Sequence, residues 1–371
     1  MRTMLMVLLL LMGPMSGCLS DELVITDDGV CIERMSRGDD GTLRILTYDI
    51  AAFSDEMLAE FTVQTGFDVE LIYADDAGGI LELMLQTQAA PQADLAVGLD
   101  NTFLQTALEF CLLTSHAVNT TAVDNNIMQL YDGPRAVPFD QGHVCLNYDE
   151  TVVDGENLTA PTSLWNLTEA DWADKTVFPS PLTSSPGRAF MVATVDYFEN
   201  DEDNSTDAFD WWKAMADNGA TFTTGWTEAY EIHYSGGYGV WVEGHLGDAA
   251  MTVSYCHSPG VEAYYGGNVT SSTSLVLPRA TFHQVEYGGL VNGGGNAEAA
   301  NAFLTFLLSE EINRNMPENN LMKSVLTNAT WPEQDGYRHH SDEPVLSADI
   351  STERIDDEME AWLVAWAEAT Q

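Results

Sequence analysis

The sequence alternates LRILTY (43–48), FDVELIY (67–73) and ADLAVGL (93–99) with two helical patterns, at residues 54–65 and 80–87. The three apolar runs have the length and composition of strands, and the intervening segments place apolar residues at helical spacing. Strands that alternate with helices of this kind predict a parallel sheet covered by helices. We therefore predict an α/β fold for this part of the chain.

Polar and aromatic residues mark the ends of these three predicted strands. Tyr48 ends the first strand, Asp76, Gly78 and Gly79 follow the second, and Asp100 follows the third. In an open parallel sheet, ligands bind outside the carboxyl ends of the strands. The pattern predicts a ligand site here, with backbone N–H donors near the glycine pair. Asp100 either faces a cationic ligand or caps the next helix.

The rest of the sequence repeats this α/β pattern in a second unit. A long strand at 137–148 leaves the first unit, and a strand at 282–291 returns to it. These two crossings predict a hinged protein with two α/β lobes, two crossover strands and a cleft between the lobes. The predicted boundaries are a lipoprotein-type signal peptide at 1–18, a tether at 19–41, lobe 1 at 42–140 plus 286–371, and lobe 2 at 141–285.

The N-terminus indicates export from the cytoplasm. An apolar run at 4–12 follows Met1-Arg2, and it has the length of a signal-peptide core but is too short to span a bilayer. Small residues precede Cys18, as in lipoprotein signal sites, where cleavage leaves the cysteine as a lipid anchor. The alternative is a plain signal peptide with an incidental Cys18. Both interpretations place the protein outside the cytoplasm, either periplasmic or anchored to the outer face of the cell membrane.

The formal net charge is −45, from 13 basic and 58 acidic residues. This balance argues against nucleic acid as a partner, since neutralising phosphates requires Lys and Arg. The negative charge is spread along the whole chain, which is typical of an acidic, soluble surface. The same negative field would also attract a cationic ligand.

Four cysteines follow Cys18, namely Cys31, Cys111, Cys145 and Cys256. An even number in an exported protein permits two disulfides in three connectivities. Their spacing fits no zinc module, and each could also be a small buried apolar residue. No metal site is predicted from them.

Seven segments, in order and spacing, carry a family resemblance. They are LTYDIAAF from Leu46, ADLAVGLDN from Ala93, VPFDQGHVCLNYD from Val137, SPLTSSPGRAF from Ser180, TTGWTEAY from Thr223, VSYCHSPGVEAY from Val253 and AWLVAWAEA near the C-terminus. Together they resemble the periplasmic thiamine-binding proteins of thiamine ABC transporters. The resemblance implies a bilobal type II periplasmic-binding fold and a monomer without cofactor or catalytic activity. It also implies capture of thiamine, thiamine monophosphate or thiamine diphosphate for an ABC permease.

The resemblance further implies which residues contact the ligand. Trp226 and Tyr255 match positions where this family stacks on the ligand rings, and Tyr48 matches an aromatic contact from the opposite lobe. Aromatic faces suit the thiazolium of thiamine because it is a flat cation. The predicted ligand-binding residues are Tyr48, Asp76, Gly78, Gly79, Asp100, Ser184, Ser185, Gly187, Trp226, Tyr230, Tyr255 and Ser258.

The run Ser184-Ser185-Pro186-Gly187 precedes a predicted helix at 188–198. Hydroxyls and free N–H groups at a helix N-terminus form an anion site, and Arg188 could add positive charge. This arrangement predicts a place for the phosphate of a thiamine ester. Helix capping by Ser184 or Ser185 is an alternative role that is compatible with phosphate binding.

The segment NNLMKSV (319–325) departs from the family pattern. The family commonly has a tryptophan where Leu321 stands and an aromatic residue where Lys323 stands. Loss of an aromatic wall weakens cation–π stacking, so the departure bears on the ligand more than on the fold. Lys323 could instead meet a phosphate.

Two other ligands and a catalytic role are the alternatives. Tyr264 and Tyr265, with His257 and Glu262 nearby, suggest ferric iron, which favours phenolate and carboxylate ligands. A polyamine would also use aromatic walls and carboxylates. A secreted enzyme is not favoured because the sequence contains no GxSxG, HExxH or P-loop motif.

Overall fold

The computed structural model describes residues 22–26, 29–48, 53–200, 207–332, 337 and 344–371. The predicted signal peptide and Cys18 lie outside these residues. Among the described residues, one mixed sheet of eleven strands extends through two lobes, and a separate two-stranded hairpin lies near the N-terminus.

The helices and strands follow the chain in three groups. The hairpin and the first group are β1 (Glu22–Thr26), β2 (Gly29–Glu33), β3 (Thr42–Tyr48), α1 (Asp55–Thr65), β4 (Asp68–Ala74), α2 (Ala77–Thr87), β5 (Leu95–Asp100), α3 (Leu104–Glu109), β6 (Leu113–Thr114), α4 (Asn125–Met128) and β7 (Val137–Asp149). The second group is β8 (Thr176–Pro179), α5 (Ser185–Glu199), α6 (Ala208–Asp217), β9 (Thr221–Thr223), β10 (Met251–Tyr255), α7 (Ser258–Tyr265) and β11 (Ser272–Leu275). The third group is β12 (Phe282–Val291), α8 (Ala297–Leu307), α9 (Glu310–Asn313), α10 (Met316–Asn319), β13 (Lys323–Ser324) and α11 (Thr352–Ala369).

The strand order shows how the two lobes are joined. In lobe 1, β3 lies parallel to β4 and β5, and in lobe 2, β8 lies parallel to β9 and β10. The long strands β7 and β12 lie antiparallel between these two parallel groups. The predicted bilobal α/β fold with two crossover strands is confirmed.

Each lobe has its own apolar core. In lobe 1 the buried rings of Phe61 and Phe303 meet edge to face, with centroids 5.0 Å apart. In lobe 2 the ring of Phe178 meets that of Trp212 edge to face at 5.1 Å. Edge-to-face pairs of this kind add about 0.5–1.5 kcal/mol to the gain from burial. The cores hold the two lobes as separate packed units on either side of the crossover strands.

The C-terminal helix α11 packs on lobe 2, whereas the predicted boundaries place residues 286–371 in lobe 1. Its buried Trp366 ring lies 6.1 Å from that of Trp212, and Trp362 is buried in the same core. The assignment of this helix to lobe 1 was wrong because spacing along a helix identifies an apolar face, not the lobe that covers it. The other predicted boundaries stay a prediction.

Two helices begin earlier than the sequence pattern predicts. Helix α2 includes both Gly78 and Gly79, because the Asp76 side chain accepts from the Ala77 N–H and fixes the helix start there. Helix α5 begins at Ser185, with Ser184 at the N-cap position. The helix predicted at 54–65 is confirmed as α1, and Ser54 caps it by accepting from the Met57 N–H.

Part of the predicted tether is fastened to lobe 1. Cys31 and Cys111 form a disulfide, and the Arg34 guanidinium donates to the Cys111 carbonyl at 2.7 Å. Arg37 forms an ion pair with the buried Asp94 at 2.8 Å, just before β5 begins. These contacts hold residues 31–37 near the N-terminal end of β5, whereas Asp100 lies at its C-terminal end.

Candidate functional site

A cleft with about 760 Å³ of empty space, part of it open to solvent, lies between the two lobes. Helix α2 and strand β3 contribute from lobe 1, helices α5 and α7 contribute from lobe 2, and β12 forms part of the floor. The residues that line the cleft include Tyr48, Asp75, Asp76, Gly98, Ser185, Pro186, Trp226, Thr227, Tyr230, Tyr238, Tyr255, His257, Ser258, Val261, Glu286, Asn320, Leu321 and Met322.

Lobe 2 contributes an aromatic wall, defined here as Trp226, Tyr230, Tyr238, Tyr255 and His257. The rings of Trp226 and Tyr230 are stacked, with centroids 4.7 Å apart and planes at 16°. Tyr238 lies 5.2 Å from Tyr230, and Tyr255 lies 5.2 Å from His257. The wall therefore presents flat aromatic faces on one side of the cleft.

Trp226 and Tyr230 are held by the local backbone. They are four residues apart at a helical turn that continues as a π-helix over Glu228–His233, and residues at this spacing face each other. The Tyr230 hydroxyl donates to the buried Glu262 carboxylate. A π-helical turn is rare and is often found at functional sites. The sequence pattern gave no sign of it.

A pair of serines supports the aromatic wall from behind. The Trp226 indole N–H donates to Ser254 Oγ at 3.0 Å, and Ser254 and Ser258 hydroxyls lie 2.8 Å apart. Ser258 Oγ also accepts from the Tyr255 N–H at 3.1 Å. Ser258 therefore lies at the cleft and also fixes the geometry of two aromatic residues.

The crossover strands contribute a carboxylate floor, defined here as Asp140 on β7 and Glu286 on β12. The Tyr48 hydroxyl donates to Glu286 Oε2 at 2.7 Å. The Asn320 amide donates to the Tyr48 hydroxyl at 2.9 Å and to Asp140 Oδ2 at 2.6 Å. Tyr48 is thus oriented by the floor and not only by packing in lobe 1.

The carboxylate floor and the aromatic wall are connected through Gln284. Its side-chain amide donates to the Tyr255 hydroxyl at 2.9 Å and to Glu286 Oε1 at 3.1 Å. Burial, and then the charge of Glu286, raise the pKa of Tyr255 well above its ordinary value. Tyr255 is therefore a neutral phenol whose hydroxyl belongs to this hydrogen-bond network.

The N-terminus of α5 meets carboxylates of lobe 1 across the cleft. The Ser185 N–H donates to Asp76 Oδ1 at 3.2 Å, and the Ser185 hydroxyl donates to Asp100. Burial raises the pKa of Asp76 to about 6 and also raises that of Asp100. The predicted anion site therefore holds two carboxylates of the protein itself. Asp100 is not the cap of the next helix, because α3 begins at Leu104.

Close backbone approach explains two of the predicted glycines. The Gly78 N–H donates to the Thr183 carbonyl at 3.1 Å, and a Cβ at Gly78 would collide with that same carbonyl oxygen. A Cβ at Gly187 would collide with the carbonyl oxygen of Pro179. At Gly79 a Cβ would meet only the Ala74 side chain, at 3.3 Å. Gly78 thus permits direct contact between the two lobes.

Arg188 lies close to this contact but its guanidinium is already engaged. It donates to the Pro181 carbonyl at 2.9 Å and lies over the Phe103 ring at 3.5 Å. Burial lowers the pKa of Arg188 to about 10, so the group remains charged at neutral pH. Its positive charge acts on Asp100 and Asp76.

Seven of the predicted ligand-binding residues line the cleft: Tyr48, Asp76, Ser185, Trp226, Tyr230, Tyr255 and Ser258. The other five (Gly78, Gly79, Asp100, Ser184 and Gly187) lie on the elements behind them. Sequence reasoning missed Asp140, Glu286, Asn320 and Tyr238. Asp140 and Glu286 occur inside strand patterns, VPFD and HQVEY, and a single polar residue in a strand is an ordinary pattern.

The segment that departs from the family pattern lies partly in the cleft. Leu321 lines the cleft with a left-handed backbone (φ 58°), directly after Asn320. Lys323 lies on β13 and lines a smaller cavity with His143, His257 and Trp331. The Trp331 ring lies 4.4 Å from that of His257, so it supports the aromatic wall from its outer side.

The residues that suggested iron are not arranged as a metal site. Tyr265 is 60% exposed, Tyr264 contacts Tyr337 and Glu318, and Glu262 accepts from Tyr230 and Thr270. Within the described residues, no group of three or more His, Cys, Asp or Glu side chains is placed to hold a metal ion.

None of the helices in the part of the chain that the structure describes is both long and apolar enough to cross a membrane.

Comparison with known proteins agrees with this architecture. The "Thiamine-binding periplasmic protein" of Escherichia coli (strain K12) is 24% identical over 316 residues, which cover 83% of this chain and 86% of that protein. The protein of the same name from Brucella suis is 25% identical over 291 residues, covering 76% and 78%.

Solved structures show the same fold. The "Periplasmic thiamin binding protein" superposes with a TM-score of 0.73 at 23% identity, covering 91% of this chain and 99% of that chain. Iron-bound HitA from Pseudomonas aeruginosa gives a TM-score of 0.64 at 16% identity, covering 89% and 99%. The family model described as "Bacterial extracellular solute-binding protein" matches residues 56–328. The chain belongs to this family of bacterial extracellular solute-binding proteins.

Proposed function

We propose that the protein captures thiamine outside the cytoplasm and delivers it to an ABC importer. The observation that carries this proposal is the stacked pair Trp226–Tyr230, which faces a cleft floored by buried carboxylates. Flat aromatic faces and negative charge in one cleft are complementary to a planar aromatic cation. The relatives named as thiamine-binding proteins support the same ligand.

The aromatic wall would supply flat contact surfaces for such a ligand. A desolvated cation over an aromatic face gains about 0.5–2 kcal/mol for each ring that it contacts. Trp226 and Tyr255 both line the cleft, and the hydrogen bonds to Ser254 and Ser258 hold them in place before a ligand arrives. Preorganised rings lose little side-chain entropy on binding, which favours tight capture.

Thiamine monophosphate and diphosphate belong to the same proposal. The phosphate of an ester would be received at the N-terminus of α5, where N–H groups and the helix dipole favour negative charge. In this structure the Ser185 N–H and hydroxyl bind Asp76 and Asp100 there. An ester would therefore replace the contacts that these carboxylates make with Ser185.

We also propose how the protein is held at the membrane and that a permease receives its ligand. Cys18, at the end of the apolar leader, would carry the lipid that anchors the chain to the outer face of the membrane. A monomer would then present its cleft to the permease. Mass spectrometry of the N-terminal peptide, with and without a Cys18→Ala substitution, tests the anchor directly.

Isothermal titration calorimetry of the mature protein tests the ligand. Thiamine, its monophosphate and its diphosphate are titrated alongside putrescine and ferric citrate, which stand for the polyamine and iron alternatives. We expect at least one thiamine compound to bind with a Kd below about 10 μM, equivalent to about 7 kcal/mol. Binding of putrescine or ferric citrate alone would replace the proposal with that alternative.

A further inference from the structure

The carboxylate floor has an unusual position in the fold. Asp140 and Glu286 are register partners on the two crossover strands, next to an irregularity in their pairing. Asp140 is 0% exposed and Glu286 is 4% exposed. Two carboxyl groups are therefore buried side by side at the only strands that pass between the lobes in the described part of the chain.

The hydrogen-bond donors do not suffice for two ionised carboxylates. Glu286 accepts from Tyr48 at 2.7 Å and from Gln284 at 3.1 Å, and Asp140 Oδ2 accepts from Asn320 at 2.6 Å. Asp140 Oδ1 is buried and receives no N–H or O–H donor from the described residues. Glu286 is its register partner on the neighbouring strand, and a hydrogen bond between two carboxyl groups requires a proton on one of them.

The charges around the pair do not compensate for a second negative charge. Asp76 and Asp100 both act unfavourably on an ionised Glu286. The Arg188 guanidinium acts on Asp76 and Asp100 and donates to backbone carbonyls. The titratable and charged groups that share the cleft or flank the strands of the pair are Tyr48 from β3, Asp75 and Asp76 before α2, Asp100 from β5, Lys323 from β13, and Arg188, Tyr230, Tyr238, Tyr255 and His257 from lobe 2.

We propose that Asp140 and Glu286 share one proton when the lobes are closed, and that ligand capture takes this proton up from solvent. The shared proton leaves one negative charge on the floor, which equals the single positive charge of a thiazolium. The choice of ligand rests on the proposed function, whereas the shared proton rests on the geometry of this chain alone.

The direction of the pH dependence follows from the pKa values. Burial raises the pKa of Asp140 to about 8, and burial together with the charge of Asp140 raises that of Glu286 well above its ordinary range. We infer that opening the cleft brings water to Glu286, which lines it, and lowers the pKa of the pair toward the ordinary carboxyl range. A pKa raised in the closed state favours closure at low pH, and this advantage is lost as the pH rises through about 8.

Asp76, Tyr48, Tyr255 and Arg188 titrate outside the pH range of the test. The pKa of Asp76 is raised only to about 6, so Asp76 is largely ionised in both states above pH 7. Burial raises the pKa of Tyr48 and of Tyr255, so both phenols stay neutral. Arg188, with a pKa lowered to about 10, stays charged. Between about pH 7 and 8.5 these four groups keep their charge, and the two floor variants identify the contribution of the carboxylate floor.

Calorimetry at pH 7.5 with thiamine, in two buffers of different ionisation enthalpy, measures the protons exchanged on binding. We expect uptake of about half to one proton, and a Kd that rises by up to about tenfold per pH unit between pH 7 and 8.5. Asp140→Asn keeps the shape of the side chain and supplies an amide donor to Glu286, so it should abolish the uptake. Glu286→Gln should do the same, and it serves if Asp140→Asn does not fold.

A matched control is Asp217→Asn, which removes an exposed carboxylate paired with Lys213 and should leave the uptake at its wild-type value. Proton uptake below about 0.2, or uptake that persists in both floor variants, overturns the shared proton. Failure of every thiamine compound to bind overturns the proposed function instead. In that case the same proton measurement is made with whichever cation does bind.

Discussion

The aromatic wall and the carboxylate floor face the same cleft but are built in different ways. The wall belongs to one lobe and consists of rings that stack on each other, as Trp226 and Tyr230 do at 4.7 Å. The floor belongs to the crossover strands and consists of carboxyl groups held by hydrogen bonds from Tyr48, Gln284 and Asn320. The wall offers contact area to a flat ligand, whereas the floor offers charge that changes with closure.

A disulfide ties these two regions together. Cys145 lies on β7, five residues after Asp140, and Cys256 follows Tyr255 directly. The bond therefore fixes a crossover strand against the aromatic wall. The other disulfide, Cys31–Cys111, fastens the N-terminal segment to lobe 1 and does not line the cleft. Removing each disulfide in turn therefore distinguishes an effect on stability from an effect on ligand binding.

We expect the largest effect from removing the Cys145–Cys256 disulfide, which joins a crossover strand to the aromatic wall. The double substitution Cys145→Ser and Cys256→Ser opens a loop of 111 residues, and we expect it to lower the free energy of unfolding by about 4 kcal/mol. It should also weaken thiamine binding by about threefold or more, because Tyr255 and His257 lose their fixed position. Chemical denaturation and calorimetry measure the two effects.

Substitution of Cys31 and Cys111 by serine is the matched control. It removes a disulfide of comparable loop length, with a sequence separation of 80, and should lower stability without changing the Kd of thiamine. Equal loss of affinity in both double variants would show that the disulfide acts through overall stability and not through the aromatic wall.

We expect the second-largest effect from removing a ring of the aromatic wall. Trp226→Ala removes one member of the stacked pair, and we expect the Kd of thiamine to rise about tenfold or more, equivalent to about 1.4 kcal/mol. Trp241→Ala is the control, because Trp241 lies in the same lobe, is 67% exposed and does not line the cleft. An unchanged affinity in Trp226→Ala would remove this ring from the ligand site.

We expect the smallest effect from adding a further ring to the lining of the cleft. Leu321→Trp adds an indole to the lining of the cleft, and we expect thiamine to bind about threefold tighter, because the cation gains a further aromatic face. Leu321 already adopts φ 58°, so the backbone strain is the same for both residues. Leu246→Trp, at an exposed site of lobe 2, is the control in the same titration. Weaker binding in Leu321→Trp would mean that the cleft is too narrow for a further ring.

The fold could be predicted from the sequence because its signals are local. The three runs at 43–48, 67–73 and 93–99 became β3, β4 and β5 with ends shifted by no more than two residues. The crossover strand predicted at 282–291 has those same limits in β12. The start of α2 was missed, because a glycine pair weakens a helical pattern even where Asp76 caps the helix.

The candidate site could be predicted only in part. Aromatic residues such as Trp226 are conspicuous in the sequence, and the family resemblance indicates their role. Asp140 and Glu286 are 146 residues apart, and only the register of two antiparallel strands brings them together. Likewise, the pattern around Ser185 predicts an anion site but cannot show that Asp76 and Asp100 lie against it. Long-range pairing, and not residue type, decides these contacts.

The fastened N-terminal segment has a mechanical consequence. Cys31, Arg34 and Arg37 bind lobe 1 beside Asp94, at the end of β5 opposite Asp100 and the cleft. A force applied to the chain before residue 31 is therefore carried by lobe 1 and does not load the crossover strands. The attachment lies within lobe 1 alone, so a tether at this point would add no constraint between the two lobes.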